Sequence, residues 1–470
     1  MLVPRLTRRI PGQDGSWISP WREILLACAV LLVACESYHA KPLDKKDIEV
    51  RLTIPSAQVL SRQASQLDHP LLQRIELKTS DGISPREASV LAVLLNADLR
   101  TLRTERSLAS AQLVQAGILP NPKLAFQLDK PVAGTTAGTS EAFSAGLAWT
   151  LNGLLTRGAK VSAATYTTQS VDLEISWKEW QTAQAARMAT ITAIVLQRQM
   201  KIAQAVTERL SSNLELTRKA AAQQLVGVLD TSAAEAAWNA GRARSLALKR
   251  LFRDQINELK HLLGFPPTAK LKLQDTTKLP SKFHVPSYEK LVHGLEDRRL
   301  DILALHLAYE SQEASVRAAI LGQYPQIEVG LLHARDNSNL YTTGLGISID
   351  LPIFDRNQGQ IAVERATRER IYNEYVGRIA RARANIAALR DRIQVIQEQI
   401  RVAEGSLPGL SQLVDAYRIA AAGGQADVLS YYRAWNAMNE TQIALLTMKN
   451  DLATARTGLA IESGYFDNLD

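Results

Sequence analysis

Cys35 is the side chain whose setting best suits a chemical reaction. It directly follows a short apolar run ending in Leu32-Val33-Ala34. This has the form of a bacterial lipobox, in which small residues admit a peptidase and the thiol accepts a lipid. Residues 1–34 carry four arginines and two acidic residues, and the run is too short to anchor the chain as a membrane helix. The sequence predicts a lipoprotein signal peptide over 1–34 and lipidation of Cys35, with a plain signal peptide and an incidental cysteine as the alternative.

The other groups that could support catalysis or metal binding are dispersed. Seven histidines include no pair four residues apart, and the second cysteine, Cys28, falls within the predicted signal peptide. The sequence has no phosphate-binding loop and no nucleophile elbow. Five arginines between 378 and 392 have no aromatic residues among them, which argues against a nucleic-acid-binding stripe. We therefore expect no enzymatic activity, no metal or other cofactor, and no nucleic-acid partner.

The composition is that of an ordered chain with few aromatic residues. Its 470 residues are 46 % hydrophobic, 22 % charged and 6 % aromatic, and these apolar and charged fractions exclude disorder over most of the chain. Removing 1–34 leaves 436 residues and lowers the formal net charge from +8 to +6. No apolar helix of 18 residues follows the signal, so a membrane crossing by the mature chain would have to use β-strands.

The body of the chain is one unit of about 200 residues written twice. Comparison at that shift places 116–124 opposite 320–327, and 146–151 opposite 346–351. Each copy predicts a helix, two strands, a very long helix, a turn and a second long helix. The resulting segments are a signal peptide (1–34), a lipidated N-terminal arm (35–83), repeat 1 (84–283) and repeat 2 (284–470).

Four segments alternate apolar residues with small or polar ones, as strands with one apolar face do. They lie near 124–128, 142–151, 327–331 and 341–351. Segments of about ten residues with this alternation are typical of transmembrane barrels, although an ordinary soluble hairpin has the same period. Four strands cannot close a barrel, because closure needs about eight. A chain that crosses a membrane with these strands must therefore oligomerise.

The first helix of each repeat has a recognisable start. Ser84, Pro85 and Glu87 form a capping box with proline at the first helical position, which predicts a helix from there to about Ala116. Its counterpart in the second repeat is expected over 286–322.

The remaining helices are far longer than those of a globular core. Residues 160–263 contain no proline, and a turn at 224–227 would divide them into helices of about 65 and 33 residues. The second repeat shows the same pair over 358–464, with a kink expected near Gly405 and Pro408. Alanine-rich helices of this length predict a coiled-coil-like wall, with a solid rod as the alternative.

Taken together, these motifs resemble the TolC-like outer-membrane efflux proteins, and in particular the outer membrane factor lipoproteins of tripartite efflux pumps. The most similar stretches are 116–122, which contains Pro120-Asn121-Pro122, and 350–362; the resemblance covers 84–463. It implies a mostly α protein with transmembrane β-strands and an internal two-fold repeat. Three chains would form a homotrimer, with four strands per protomer in a twelve-stranded outer-membrane β-barrel. The long helical hairpins would continue that barrel as an α-barrel tunnel across the periplasm.

The same resemblance implies a function and partners. The expected function is the exit duct of a tripartite RND-type efflux system, which passively conducts small molecules such as drugs or metal ions. The expected partners are a periplasmic membrane-fusion (adaptor) protein, an inner-membrane RND-type transporter and outer-membrane lipid. The expected location is the outer membrane, with a lipid anchor and an extension into the periplasm. A type I protein-secretion duct and a non-channel, adaptor-like helical lipoprotein of the periplasm are the alternatives.

The resemblance also assigns three groups of residues. They are a periplasmic entrance or gate (Gly423, Gly424, Asp427), an adaptor-contacting tip (Val226, Gly227, Asp230) and a barrel-to-tunnel transition (Asn152, Gly153, Pro352, Phe354). Ser430 stands where some members carry a second acid, which predicts a smaller acidic ring and a looser latch. Helix N-capping is the alternative role for Asp230 and Asp427.

Overall fold

The computed structural model of the chain describes residues 36–78, 81–135, 138–423 and 428–465. The chain divides into two compact units, Met1–Thr53 and Ile54–Asp470. The described part of the first unit contains helix α1 (Lys45–Leu52), which Asp44 caps by accepting a hydrogen bond from the backbone N–H of Lys46. Cys35, the predicted lipidation residue, lies outside the described residues.

The second unit follows the predicted order of elements through both repeats. Its described helices are α2 (Ala57–Ser65), α3 (Pro85–Leu95), α4 (Ala97–Gly117), α5 (Asn152–Ala222), α6 (Val228–Leu262), α7 (Tyr288–Val292), α8 (Leu295–Arg298), α9 (Leu300–Leu321), α10 (Gln358–Ala422) and α11 (Val428–Ser463). Its strands are β1 (Lys123–Asp129), β2 (Ala142–Thr150), β3 (Ile327–Arg335) and β4 (Tyr341–Ile349). None of the helices in the described ranges combines the length and the apolar character needed to cross a membrane.

The two long hairpins lie where the sequence predicts them. Helix α5 has 71 residues, somewhat more than the predicted length, and spans about 107 Å at 1.5 Å per residue. Helix α10 continues through Gly405 and Pro408, where the sequence predicts a kink. Helix α6 packs against α5, α5 against α11, and α11 against α10, so the hairpins of the two repeats lie side by side.

The first predicted helix is wrong in one respect, because it is broken at Asn96. The capping box of Ser84 and Glu87 is present, but Asn96 leaves the helical conformation with φ −56° and ψ 129°. Its Oδ1 accepts a hydrogen bond from the N–H of Leu99, and its Nδ2 donates to the carbonyl of Leu262. Asn96 therefore ends α3, caps α4 and ties both to the end of α6.

The counterpart predicted over 286–322 is also wrong as a single helix. It forms α7, α8 and α9, with breaks at Gly294, which has φ +64°, and at Arg299, which is extended. The guanidinium of Arg299 is buried between the carboxylates of Asp301 and Glu462. The break thus places a cation from the start of α9 against the last turn of α11.

The four strands form one antiparallel sheet in the order β1-β2-β3-β4. The central pair, β2 with β3, joins the two repeats, and β1 and β4 are the edges. Leu147 pairs with Leu124 on one side and with Leu331 on the other, and Leu331 pairs with Leu345. Directly paired residues share a face of a sheet, so this row confirms the predicted apolar face.

Candidate functional site

The strand-to-helix passage of repeat 1 is built around Asn152 and Gly153, the first residues of α5. The Oδ1 of Asn152 accepts from the N–H of Ile327 at 3.1 Å, and its Nδ2 donates to the carbonyl of Tyr324 at 3.2 Å. A Cβ on Gly153 would lie 2.6 Å from Cδ of Pro120. Glycine therefore allows the start of α5 to lie directly against the Pro-Asn-Pro turn, while Asn152 binds it to the start of β3.

The matching passage of repeat 2 is more open. The carbonyl of Pro352 accepts a hydrogen bond from Nε of Arg356 at 3.2 Å, and the side chain of Phe354 is 90 % exposed. Asn357, which precedes α10, has φ +60°, and its Nδ2 donates to the carbonyl of Ala319 at 2.7 Å. The sequence interpretation missed Asn357, although asparagine is one of the residues that tolerate the left-handed region.

The tip of the first hairpin exposes apolar side chains. Helix α6 begins after Gly227, whose N–H donates to Oδ2 of Asp230 at 3.0 Å, so Asp230 has the N-terminal capping role named as its alternative. Val226 precedes this cap. Leu225, Val228 and Leu229 are 72 %, 83 % and 85 % exposed. These three leucine and valine side chains were not predicted as site residues, although apolar residues in a turn are a usable signal of contact.

The tip of the second hairpin is described only in part. The N–H of Gly423 donates to the carbonyl of Ile419 at 3.0 Å and ends α10; Gly424 and Asp427 lie outside the described residues. Closer to the sheet, the guanidinium of Arg209 on α5 lies 5.6 Å from the ring centroid of Tyr431 and 5.2 Å from that of Trp435. This cation–π contact joins the first hairpin to the second near the predicted gate.

A buried histidine fixes part of the predicted arm to α5. The Nδ1 of His69 accepts from the N–H of Leu71, and its Nε2 donates to the carbonyl of Ser176, each at 3.0 Å. Burial lowers the pKa of His69, and the carboxylate of Glu179, 3.6 Å away, opposes that shift. These hydrogen bonds define a neutral imidazole that holds the segment around it in place.

Comparisons with known proteins bear on this arrangement. The family model "Outer membrane efflux protein" matches residues 291–463. The cobalt-zinc-cadmium resistance protein CzcC of Cupriavidus metallidurans is 23 % identical over 388 residues, which cover 80 % of this chain and 90 % of CzcC. The protein is a TolC-like outer-membrane efflux protein.

Solved structures show the same fold for this efflux protein. CusC matches with a TM-score of 0.64 and 18 % identity, over 84 % of this chain and 96 % of CusC. The outer membrane protein VceC of Vibrio cholerae matches with a TM-score of 0.66 and 19 % identity, over 81 % of this chain and 96 % of VceC. Both are membrane proteins of the outer-membrane channel kind, so the sheet and the long hairpins of this chain are the elements of an outer-membrane efflux channel.

The described residues of this efflux protein contain no group of three or more His, Cys, Asp or Glu side chains arranged to hold a metal ion. The features that the structure does bring together are the two transitions beside the sheet and the two hairpin tips. They lie at opposite ends of the same long helices, as a passage between two compartments requires.

Proposed function

We propose that the protein is the exit duct of a tripartite RND-type efflux system and works as a homotrimer. The observation that supports this is that both layers of the fold end in free edges. β1 and β4 are the edges of the sheet, and in the order α6-α5-α11-α10 the outer helices are α6 and α10. Neighbouring copies would join β4 to β1 and α10 to α6. Three copies would then supply the twelve strands and twelve long helices of a closed barrel and tunnel.

The two outer helices expose residues at coiled-coil spacing. Helix α6 exposes a seam of alanines at alternating intervals of three and four residues, namely Ala233, Ala236, Ala240, Ala243 and Ala247. Helix α10 exposes Val395, Val402, Ser406, Gly409, Leu413 and Ala416, which fit the same heptad. Larger side chains of one helix can enter the shallow surface of an alanine seam. The pair therefore suits helix packing between copies.

The partners follow from the two ends of the duct. The exposed tip around Leu225, Val228 and Leu229 is a surface for a periplasmic adaptor protein, which would connect the duct to an inner-membrane RND-type transporter. Lipidation of Cys35 would add an anchor in the outer-membrane lipid. Small molecules and metal ions are the proposed cargo, and metal ions agree with the name of the relative CzcC.

A charge placed in the alanine seam tests the closed trimer. We expect Ala243→Glu to abolish the slow-migrating trimer band in unboiled gels of outer-membrane extracts, and with it channel activity in planar bilayers, because a buried unpaired carboxylate opposes the contact. Lys249→Glu is the matched control, since Lys249 is exposed on the same helix but outside the seam. A wild-type protein that migrates as a monomer from the soluble periplasm would refute the duct and favour the adaptor-like alternative.

The gate is tested by single-channel conductance. We propose that Asp427 contributes one carboxylate per protomer to an acidic ring at the entrance, where divalent or larger cations bind and block the current. Asp427→Ala is expected to weaken that block by about tenfold, the effect of losing roughly 1.4 kcal/mol of electrostatic attraction. Asp415→Ala, which removes an exposed carboxylate paired with Arg418, is the control. An unchanged block in Asp427→Ala would leave Asp427 with its capping role alone.

A further inference from the structure

The apolar face of the sheet changes character at its end farthest from the helices. The strands adjoin the helices at Lys123, Thr150, Ile327 and Ile349, so Asp129, Ala142, Arg335 and Tyr341 form the distal end. Register places Phe143 opposite Arg335, and Arg335 opposite Tyr341. These three side chains therefore share the face that carries the leucine row. Arg335 is the one Lys, Arg, Asp or Glu among the residues of that face in the four strands.

Three rings surround this cation. The centroids of Phe143, His333 and Tyr341 lie 6.1 to 6.3 Å from one another. The guanidinium carbon of Arg335 lies 5.3 Å from the ring centroid of Phe143 and 5.9 Å from that of Tyr341. Aromatic rings and long basic side chains are the residues that occupy the boundary between an apolar membrane core and water. The four side chains therefore form a boundary belt at the distal end.

The charge of Arg335 is not neutralised within the described chain. Its Nε and Nη2 donate to the carbonyl oxygen of Glu141, at 3.2 and 2.5 Å. No ion pair with a carboxylate is found for it among the described residues, and the Glu141 carboxylate instead approaches Lys130 at 3.4 Å. The guanidinium is thus oriented by a backbone oxygen while its charge stays available to an external anion.

The dimensions of the face agree with a membrane boundary. From Ile349 to Tyr341 the strand rises about 26 Å at ~3.3 Å per residue, close to the roughly 25 Å apolar band of transmembrane barrels. Trp149 lies on the same face at the helix end, where its Nε1 donates to the carbonyl of Pro120. The face therefore has an aromatic residue near each boundary and a cation only at the distal one.

We propose that Arg335, with His333, Phe143 and Tyr341, binds the phosphate group of an outer-leaflet glycolipid. The proposal rests on the proposed function, which puts the helices in the periplasm and so turns the distal end of the sheet outwards. A guanidinium pairs strongly with phosphate through parallel N–H···O bonds. The neighbouring rings offer an apolar surface to the first carbons of the acyl chains.

Lipid retention measures this directly. The protein is purified in a zwitterionic detergent, mixed with lipid A, and the bound lipid A is counted by native mass spectrometry. We expect wild type to retain lipid A and Arg335→Gln to retain about fivefold less, as expected for one basic side chain at a membrane surface. Arg335→Lys should keep most of the binding, because it keeps the charge.

Lys123→Gln is the matched control. It also removes one positive charge from a strand, but Lys123 lies on the other face, at the helix end, in an ion pair with Glu328. Equal retention of lipid A by Arg335→Gln and Lys123→Gln would overturn the proposal, as would displacement of lipid A by inorganic phosphate at equal concentration. Trimer mobility and conductance are recorded on the same samples. A loss of both with lipid binding intact would refute the duct and not this site.

Discussion

Asp301→Ala is expected to lower the free energy of unfolding by about 3–5 kcal/mol, because it leaves a buried arginine without its main counter-ion. Arg299 is 7 % exposed. Its Nε and Nη2 donate to the two carboxylate oxygens of Asp301 at 2.9 and 2.7 Å, and its Nη1 donates to Glu462 at 2.9 Å. The second cation of this group, Arg378, lies 3.7 Å from the same Asp301 carboxylate. Removing Asp301 would leave two arginines facing one carboxylate.

The loss would separate elements that the chain joins only here. Arg299 stands at the start of α9 and Glu462 in the last turn of α11, while the ring of Trp177 on α5 lies 5.3 Å below the guanidinium. The measurement is chemical denaturation of the detergent-solubilised protein, followed by the helical circular dichroism signal.

Two further variants separate charge burial from packing. Glu398→Ala removes one partner of an exposed ion pair with Arg401 and is expected to cost less than about 1 kcal/mol. The double variant Arg299→Met/Asp301→Leu is expected to recover most of the loss, since it removes the buried charges together. If Asp301→Ala were no less stable than Glu398→Ala, the pair would not hold α9 against α11.

The features that the sequence predicts correctly are those with local causes. The Ser84 capping box depends on four consecutive residues, and the strands depend on alternation within ten. The helix breaks at Asn96 and Arg299 could not be predicted in the same way. Asn96 binds the carbonyl of Leu262 and Arg299 binds Glu462, partners more than 160 residues away along the chain. Nothing in the neighbouring sequence reveals such contacts.

The candidate site divides along the same line. The turn at Gly227 and its cap by Asp230 are local, and capping was already the alternative reading of that aspartate. At the strand-to-helix transition, by contrast, Asn152 acts through Tyr324 and Ile327 in the other repeat. The family resemblance indicated the position of Asn152, and only the structure showed that it links the two repeats.

Gly264→Ala is expected to cost about 3 kcal/mol or more in the free energy of unfolding. Gly264 has φ +63°, in the left-handed region, where a Cβ costs roughly 1–2 kcal/mol. A Cβ there would also lie 2.3 Å from the carbonyl oxygen and 2.8 Å from the carbonyl carbon of Leu95. Both are backbone atoms next to the break at Asn96, so they cannot move aside as a flexible side chain would.

The glycine completes a Schellman end of α6. The N–H of Gly264 donates to the carbonyl of His261 at 3.0 Å, and that of Phe265 donates to the carbonyl of Lys260 at 2.8 Å. Phe265 then packs on the buried cluster that contains Leu91 and Leu259. A displaced Gly264 would therefore disturb the capping of α6 and the packing between the end of the first hairpin and α3.

Gly158→Ala is the matched control, because Gly158 lies within α5 and a Cβ there meets no atom within 4 Å. That substitution is expected to stabilise the protein by about 0.5–1 kcal/mol, the difference in helix propensity between the two residues. The same denaturation assay compares the two variants. A Gly264→Ala protein as stable as wild type would show that the contact between Leu95 and the end of α6 relaxes freely. The break at Asn96 would then not depend on close backbone packing.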